Sequence, residues 1–365
     1  MNASPANAID WHSFLGRPGL PAPAAATLDQ LRNTAILVTG AGGSIGSALS
    51  LRLAALCPRK LVLLDASEQA LYRLQVLLDN AGLLTHTRLI LGNCCNSALL
   101  EDILEPQQLI FHAAAHKHVP LLERHPFEAI ANNTIATLTL SESATRAGAA
   151  RIVLLSTDKA AAPASILGAT KRIAERVMLA HGGIALRLAN VLGPEGSVSE
   201  TFSRQIAAGG PITITARDAE RYFLTGTEAV DLLLASALAA PARSLLAPQL
   251  TERHRITELA RFLSSQLSPT NGPPVVFTGH RPGDKLREVF WFSDEHPSPS
   301  SIPGLLQIQA SSHEIDLAVS ILGTLREAVM KRDLPLAMDC IVRMVPGYSP
   351  SGTIMAQLKQ SEVTR

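Results

Sequence analysis

Three short stretches hold residue types that can do chemistry together. In T-G-A-G-G-S-I-G (39–46), Gly40, Gly43 and Gly46 stand three apart, with Ser44 and Ile45 between the last two. Glycines so spaced allow a tight turn and bring backbone close to a pyrophosphate, whose charge meets a helix N-terminus. Asp65 follows Gly46 by 19 residues, where a carboxylate can bind both hydroxyls of a ribose. That acid would repel a 2′-phosphate, so the expected cofactor is NAD rather than NADP. In S-T-D-K (156–159) a hydroxyl, a carboxylate and an amine are consecutive, offering an acid, a base and a polariser within one turn. Lys171 comes twelve residues after Lys159, and Leu167, four before Lys171, shares its helix face. The bland alternatives are a structural glycine turn, a capping Asp and a capped helix entry with a solvated lysine.

H-A-A-A-H-K-H (112–118) is the third stretch. Small residues at 113–115 let backbone approach a cofactor, and His116, Lys117 and His118 could face a diphosphate or sugar. His112 and His118 could equally be satisfied structural histidines, and Asn132 and Asn133 structural hydrogen-bonders. Glu175 and Glu228 read as solvated or capping acids.

These residues need elements to hold them. Short apolar, β-branched runs at 35–39, 61–65, 88–91, 109–113, 151–156 and 184–188 alternate with helical patterns at 45–56, 68–78, 97–104, 126–147 and 167–180. Continuous apolar strands alternating with helices imply an α/β fold, a Rossmann-type doubly wound parallel sheet buried on both faces. Its carboxyl edge would carry both the glycine turn and S-T-D-K. Beyond residue 195 the rhythm breaks into mixed short elements, with 294–304 expected as a loop and helix returning over 313–343. The expected organisation is a partly loose lead-in over 1–30, a dinucleotide domain over 31–195, a smaller substrate lobe over 196–350 and a tail over 351–365.

Composition narrows the function classes. Among 365 residues, 32 Lys and Arg balance 31 Asp and Glu, and aromatics are 4%, which argues against nucleic acid or an anionic membrane surface as partner. No stretch reaches the roughly 18 apolar residues of a membrane span; the apolar run 229–240 is shorter and carries Asp231. With no secretory leader either, the chain is expected to be cytoplasmic. Cys57, Cys94, Cys95 and Cys340 lack metal-ligand spacing and read as buried thiols, so no metal is expected.

Longer segments resemble one family. G-A-G-G-S-I-G-S, H-A-A-A-H-K-H-V-P, L-S-T-D-K-A-A-A-P, G-A-T-K-R, N-V-L-G, R-Q-I-A-A-G-G-P-I-T-I-T, R-Y-F-L-T and R-P-G-D-K are similar to the bacterial polysaccharide-biosynthesis nucleotide-sugar dehydratases. These are extended short-chain dehydrogenases, mainly UDP-N-acetylglucosamine 4,6-dehydratases, and the likeness spans about residues 11–350. The resemblance implies oxidation at sugar carbon 4 by bound NAD, loss of water across carbons 5 and 6, and hydride return to carbon 6. It assigns Asp158 to protonate the leaving hydroxyl, Lys159 to take the carbon-5 proton, Thr157 to hold the carbon-4 oxygen and Lys171 to hold the nicotinamide ribose. An amine acting as base needs a depressed pKa, expected from burial and the nearby Lys171. Gly40, Gly43, Ser44, Ile45, Gly46, Asp65, Asn93, Ala113, Ala114, Ser156 and Lys171 would hold NAD. Lys117, His118, Asn190, Ser197, Arg204, Arg221 and Arg281, with Arg187, would hold the UDP-sugar. A homo-oligomer is expected by analogy.

Three departures stand out. Leu167 occupies the position of the redox tyrosine, often Met in the membrane-anchored members, and excludes tyrosine-type catalysis. Asn93 replaces the adenine-side aspartate, and 242–256 lacks the family's strand and acidic-glycine turn. A neighbouring epimerase or other dehydratase on the same ketone, and a catalytically silent nucleotide-sugar binder, are the competing readings.

Overall fold

The computed structural model describes residues 9–268, 270 and 272–363. Residues 1–8 of the expected lead-in and 364–365 of the expected tail lie outside them.

The apolar runs form the centre of one sheet. Its strands are β1 (Ala35–Thr39), β2 (Lys60–Asp65), β3 (Arg88–Leu91), β4 (Leu109–His112), β5 (Arg151–Thr157), β6 (Ile184–Leu188), β7 (Leu245–Pro248), β8 (His296–Pro299) and β9 (Leu305–Gln309). The nine strands lie in the order β8-β9-β7-β6-β5-β4-β1-β2-β3. From β3 to β7 every pairing is parallel, whereas β7–β9 and β9–β8 are antiparallel. All residues of β1, β4 and β6 are buried, as a sheet covered by helices on both faces requires. Strand order reverses between β1 and β4, and a crevice opens at the carboxyl ends there.

The helices follow the expected pattern, with Ser44–Ala54, Glu68–Asn80, Ser97–Ile103 and Ile166–Ala180 between successive strands. The stretch expected as one helix over 126–147 is broken. Pro126–Ile130 is α-helical, Ala131–Ile135 is a π-turn, and Ala136–Ala147 resumes the α-helix. The wider turn presents Asn133 inward, where its amide bonds both backbone groups of His116, at 2.8 and 3.1 Å. The expected helix 313–343 is two, Ser312–Lys331 and Leu334–Met344, separated by Arg332 in the left-handed region at φ 52°.

Other expectations need correction. The 294–304 segment contains strand β8, and 242–256 contains β7 plus His254–Arg255, which pairs with Glu220–Arg221. The lead-in is anchored: helices Trp11–Leu15 and Ala25–Arg32 bury Leu15 and Leu31. Residues read as a tail form the helix Gly352–Val363, with Ile354 buried. Cys57 and Cys95 are exposed, and only Cys94 and Cys340 are buried.

A separate apolar core forms C-terminal to β6. Phe202, Ile206, Ile212, Ile214, Phe223, Leu259 and Leu263 pack with Leu15 from the N-terminal helix. Phe14 packs edge-on to Phe223 at 5.8 Å. Arg17 then pairs with Glu228 at 2.6 Å, while Glu228 completes a capping box with Thr225, as its reading as a capping acid anticipates.

Three arginines and three glutamates are buried together beneath the carboxyl edge of the sheet. Arg172 and Arg176 bind Glu314 at 2.9 and 2.6 Å, and Arg187 binds Glu175 and Glu295 at 2.7 and 2.6 Å. All six are at most 6% exposed. Glu175 is therefore no solvated acid, and Arg187 lies inside this cluster rather than on the nucleotide. The cluster joins the helix Ile166–Ala180 and β6 to the C-terminal segment.

Candidate active site

The glycine turn leaves β1 at Thr39 and enters the helix Ser44–Ala54. Gly40 has φ 67°, and a Cβ on it would lie 2.5 Å from the Ala114 backbone. A Cβ on Gly46 would lie 2.0 Å from the Gly40 carbonyl oxygen. Both must be glycine for the turn to close, and Ala113 and Ala114 are the backbone it closes against. Asp65 accepts from Gly42 N–H and Ser67 N–H, each at 2.8 Å. It thereby couples the turn to β2. Asp65, Gly40, Gly43, Asn93, Ala113 and Ala114 line a cleft of about 380 Å³. Asn93 uses its side-chain oxygen on Cys95 N–H at 2.8 Å, so its amide group is the part left for a ligand.

A second cleft of about 310 Å³ continues from it and gathers Ser44, Ile45, Lys117, His118, Thr157, Lys159, Leu167, Lys171, Asn190 and Ser197. Between them a third, of about 560 Å³, runs along Gly42–Gly46 to Arg73, Glu195 and Arg204. Lys117 Nζ donates to the Glu195 carbonyl at 2.7 Å. Ser197 caps the helix Val198–Ala207.

Asp158 is fully buried at the end of β5. Its Oδ1 accepts from Thr157 Oγ1 and Lys159 Nζ, both at 3.0 Å, and its Oδ2 is buried with no hydrogen-bond partner among the described residues. Lys159 also donates to Asn190 Oδ1 at 3.1 Å. Glu288, which the sequence reading passed over, stands 3.8 Å from the same ammonium. Burial alone would depress Lys159, but the carboxylates of Asp158 and Glu288 outweigh it and raise its pKa. The expected depressed amine is thus not Lys159. It is Lys171, which burial lowers to about 8 against the pull of Glu175. Lys171 Nζ donates to the Leu155 carbonyl at 2.7 Å.

His112 settles as structural. Thr137 gives its one hydroxyl proton to the Asn133 carbonyl, so it accepts from His112 Nε2 at 3.0 Å, and Thr39 donates to Nδ1 at 2.6 Å. Burial and the nearby Lys171 hold its pKa down at about 3. Ser156 lines the second cleft, but its hydroxyl donates to Glu175 Oε1 at 2.6 Å.

The arginine candidates divide. Arg204 is exposed along the third cleft. Arg221 spends its guanidinium on the carbonyls of Glu220, Lys285 and Leu286 at 2.7 to 2.9 Å. Arg281 is exposed on a turn outside these three clefts. Arg73, also missed, pairs with Glu195 at 2.8 Å across the glycine turn. The three-residue spacing of Lys285 and Glu288 was the available signal for that pair, whereas nothing local marks Arg73 or Glu175.

A family model described as polysaccharide biosynthesis protein matches residues 36–310. The chain belongs to that family. EpsC of Bacillus subtilis, a probable polysaccharide biosynthesis protein, is 36% identical over 77% of this chain and 48% of its own length. The chain therefore spans about half of that relative. An inverting UDP-N-acetylglucosamine 4,6-dehydratase of Campylobacter jejuni is 26% identical over 79% of this chain and 87% of its own. A UDP-glucose 4-epimerase of Rickettsia prowazekii is 25% identical over 78% and 85%. Among solved structures, the dTDP-glucose 4,6-dehydratase DesIV of Streptomyces venezuelae, with NAD and TYD bound, superposes with a TM-score of 0.64. It is 22% identical over 70% of this chain and 88% of its own. The fold is a Rossmann-type fold, as in this neighbour. No described helix is long and apolar enough to cross a membrane.

Proposed function

We propose that this chain is a NAD-dependent 4,6-dehydratase of a UDP-hexosamine, with UDP-N-acetylglucosamine as first candidate. The observation that carries this reading is that Thr157 and Lys159 line the cleft that also holds Lys171 and adjoins the glycine turn, with Asp158 buried behind them and hydrogen-bonded to both. The residues fit a dinucleotide: the turn closes only with Gly40 and Gly46, and Asp65 stands beside the same cleft. Bound NAD would supply reversible hydride acceptance from carbon 4.

The chain's own residues account for the remaining steps. Thr157 orients the carbon-4 oxygen. Lys159 and Asp158 already share a hydrogen bond at 3.0 Å. With Lys159 as the free amine, Asp158 takes the carbon-4 hydroxyl proton through Thr157 and gives it to the departing carbon-6 hydroxyl, while Lys159 takes the carbon-5 proton and returns it there once hydride reaches carbon 6. Leu167 has no group that can carry a proton, so it takes no part in this relay. The similar identity to an epimerase keeps carbon-4 epimerisation as the second reading, but the acid–base pair on one turn favours elimination. Asp158→Asn tests the choice: NAD binding is retained within about twofold while product formation falls by at least 10²-fold. Unchanged turnover in that variant would remove Asp158 from the mechanism.

A further inference from the structure

The turn at 281–284 delivers two charges to the site that the dehydratase reading does not use. Glu288 is 3% exposed and sits 3.8 Å from Lys159 Nζ. Lys285 Nζ lies 2.5 Å from the other oxygen of Glu288, off the alignment of a hydrogen bond, and donates to the Ala162 carbonyl at 2.7 Å. Lys285 is therefore fastened to the same turn that carries Lys159.

We propose that Glu288, backed by Lys285, is a positioning residue for Lys159: it fixes the amine between Asp158 and Asn190 and sets how readily that amine gives up its proton. An ammonium has three N–H donors. Asp158 Oδ1 at 3.0 Å and Asn190 Oδ1 at 3.1 Å accept two of them, and Glu288 Oε1 at 3.8 Å faces the ammonium as an ion-pair partner beyond hydrogen-bond length. A neutral amine would turn its lone pair toward a carboxylate, so each acid opposes proton loss. The charges facing Lys159 come from every neighbouring element: Asp158 on its own turn, Glu288 and Lys285 on the C-terminal segment, Arg221 from its short strand, and Lys171 and His118 across the cleft. Burial pulls Lys159 down, while Asp158 and then Glu288 raise it. Lys285 shields Glu288, so the two residues act on Lys159 with opposite sign.

The consequence for turnover rests on the dehydratase reading; the positioning does not. Acetic anhydride acetylates only free amines, so the extent of Lys159 labelling against pH, read by peptide mass spectrometry, gives the midpoint of its titration without any turnover. Glu288→Gln is expected to lower that midpoint by about one pH unit, a tenfold rise in free amine at fixed pH. Glu288→Asp, which keeps the charge, is expected to hold it within a few tenths, and Lys285→Met to raise it. A Glu288→Gln midpoint equal to wild type, or equal shifts in the Gln and Asp variants, would overturn the proposal. Should Glu288→Gln fail to fold, Lys285→Met carries the test, and an unchanged or lowered midpoint there overturns it. Where wild type turns over sugar nucleotide, the rising limb of kcat against pH is expected to follow the same shifts. Wild type that labels as expected but turns nothing over would count against the dehydratase reading alone.

Discussion

At the scale of single residues, charge state decides what each lysine can do. Lys159 is held charged by two carboxylates, whereas Lys171, with no carboxylate in contact, sits near neutrality at about 8. The folded chain therefore binds the Lys171 proton less tightly than the unfolded chain. Between about pH 8 and pH 10.5 the unfolded state holds more protons, so stability from this group rises with pH across that window and is lowest below it. Lys171→Met removes that dependence. The wild-type minus variant difference in unfolding free energy is expected to climb by about 3 kcal/mol from pH 7.5 to pH 10.5 in urea titrations. A flat difference would mean that Lys171 is not depressed. The residue identities at Thr157, Asp158, Lys159 and Lys171 were legible because they are local in sequence. Lys159's ionisation was not, because Glu288 approaches from 129 residues away.

At the scale of elements, the glycine turn shows why some positions admit one residue type. Gly46→Ala would place a methyl 2.0 Å from the Gly40 carbonyl, so the turn must open. NAD affinity by calorimetry is expected to fall at least tenfold while the far-UV spectrum stays near wild type; unaltered affinity would mean the turn does not hold the cofactor. The central strands were legible for a related reason: parallel strands buried on both faces are continuous apolar runs, whatever packs beside them. Strand β8 was not, since H-P-S-P carries Pro297 and Pro299. Proline lacks the ladder donor and survives only where one side of the strand is unpaired, as at this edge of the sheet. The break in 126–147 was equally hidden, because no proline or glycine marks the π-turn at Ala131–Ile135.

At the scale of the molecule, the six buried charges bind the two halves of the chain. Glu175, read in sequence as a solvated or capping acid, is buried against Arg187, and only Glu295 and Glu314, more than a hundred residues on, make the burial of Arg172 and Arg176 tolerable. Removing one partner leaves a buried charge uncompensated, which costs about 3–5 kcal/mol. Glu314→Ala is accordingly expected to lower the thermal midpoint of the whole chain in a single transition followed by calorimetry. Loss of only a minor, separate transition would show that the C-terminal segment folds apart from the sheet. Glu175 also accepts from the Ser156 hydroxyl, next to Thr157, so the cluster is part of the support beneath the turn that carries Thr157, Asp158 and Lys159.

The central claim is elimination driven by the Asp158–Lys159 pair. Its most direct test is incubation of the wild-type protein and Asp158→Asn with UDP-N-acetylglucosamine in heavy water, with products followed by mass spectrometry and proton NMR. The account predicts that wild type releases a sugar nucleotide lighter by one water, with deuterium at carbon 5 and a new carbon-6 methyl signal, and that the variant does not. A changed sugar configuration with no loss of water, or equal product from both proteins, would contradict it.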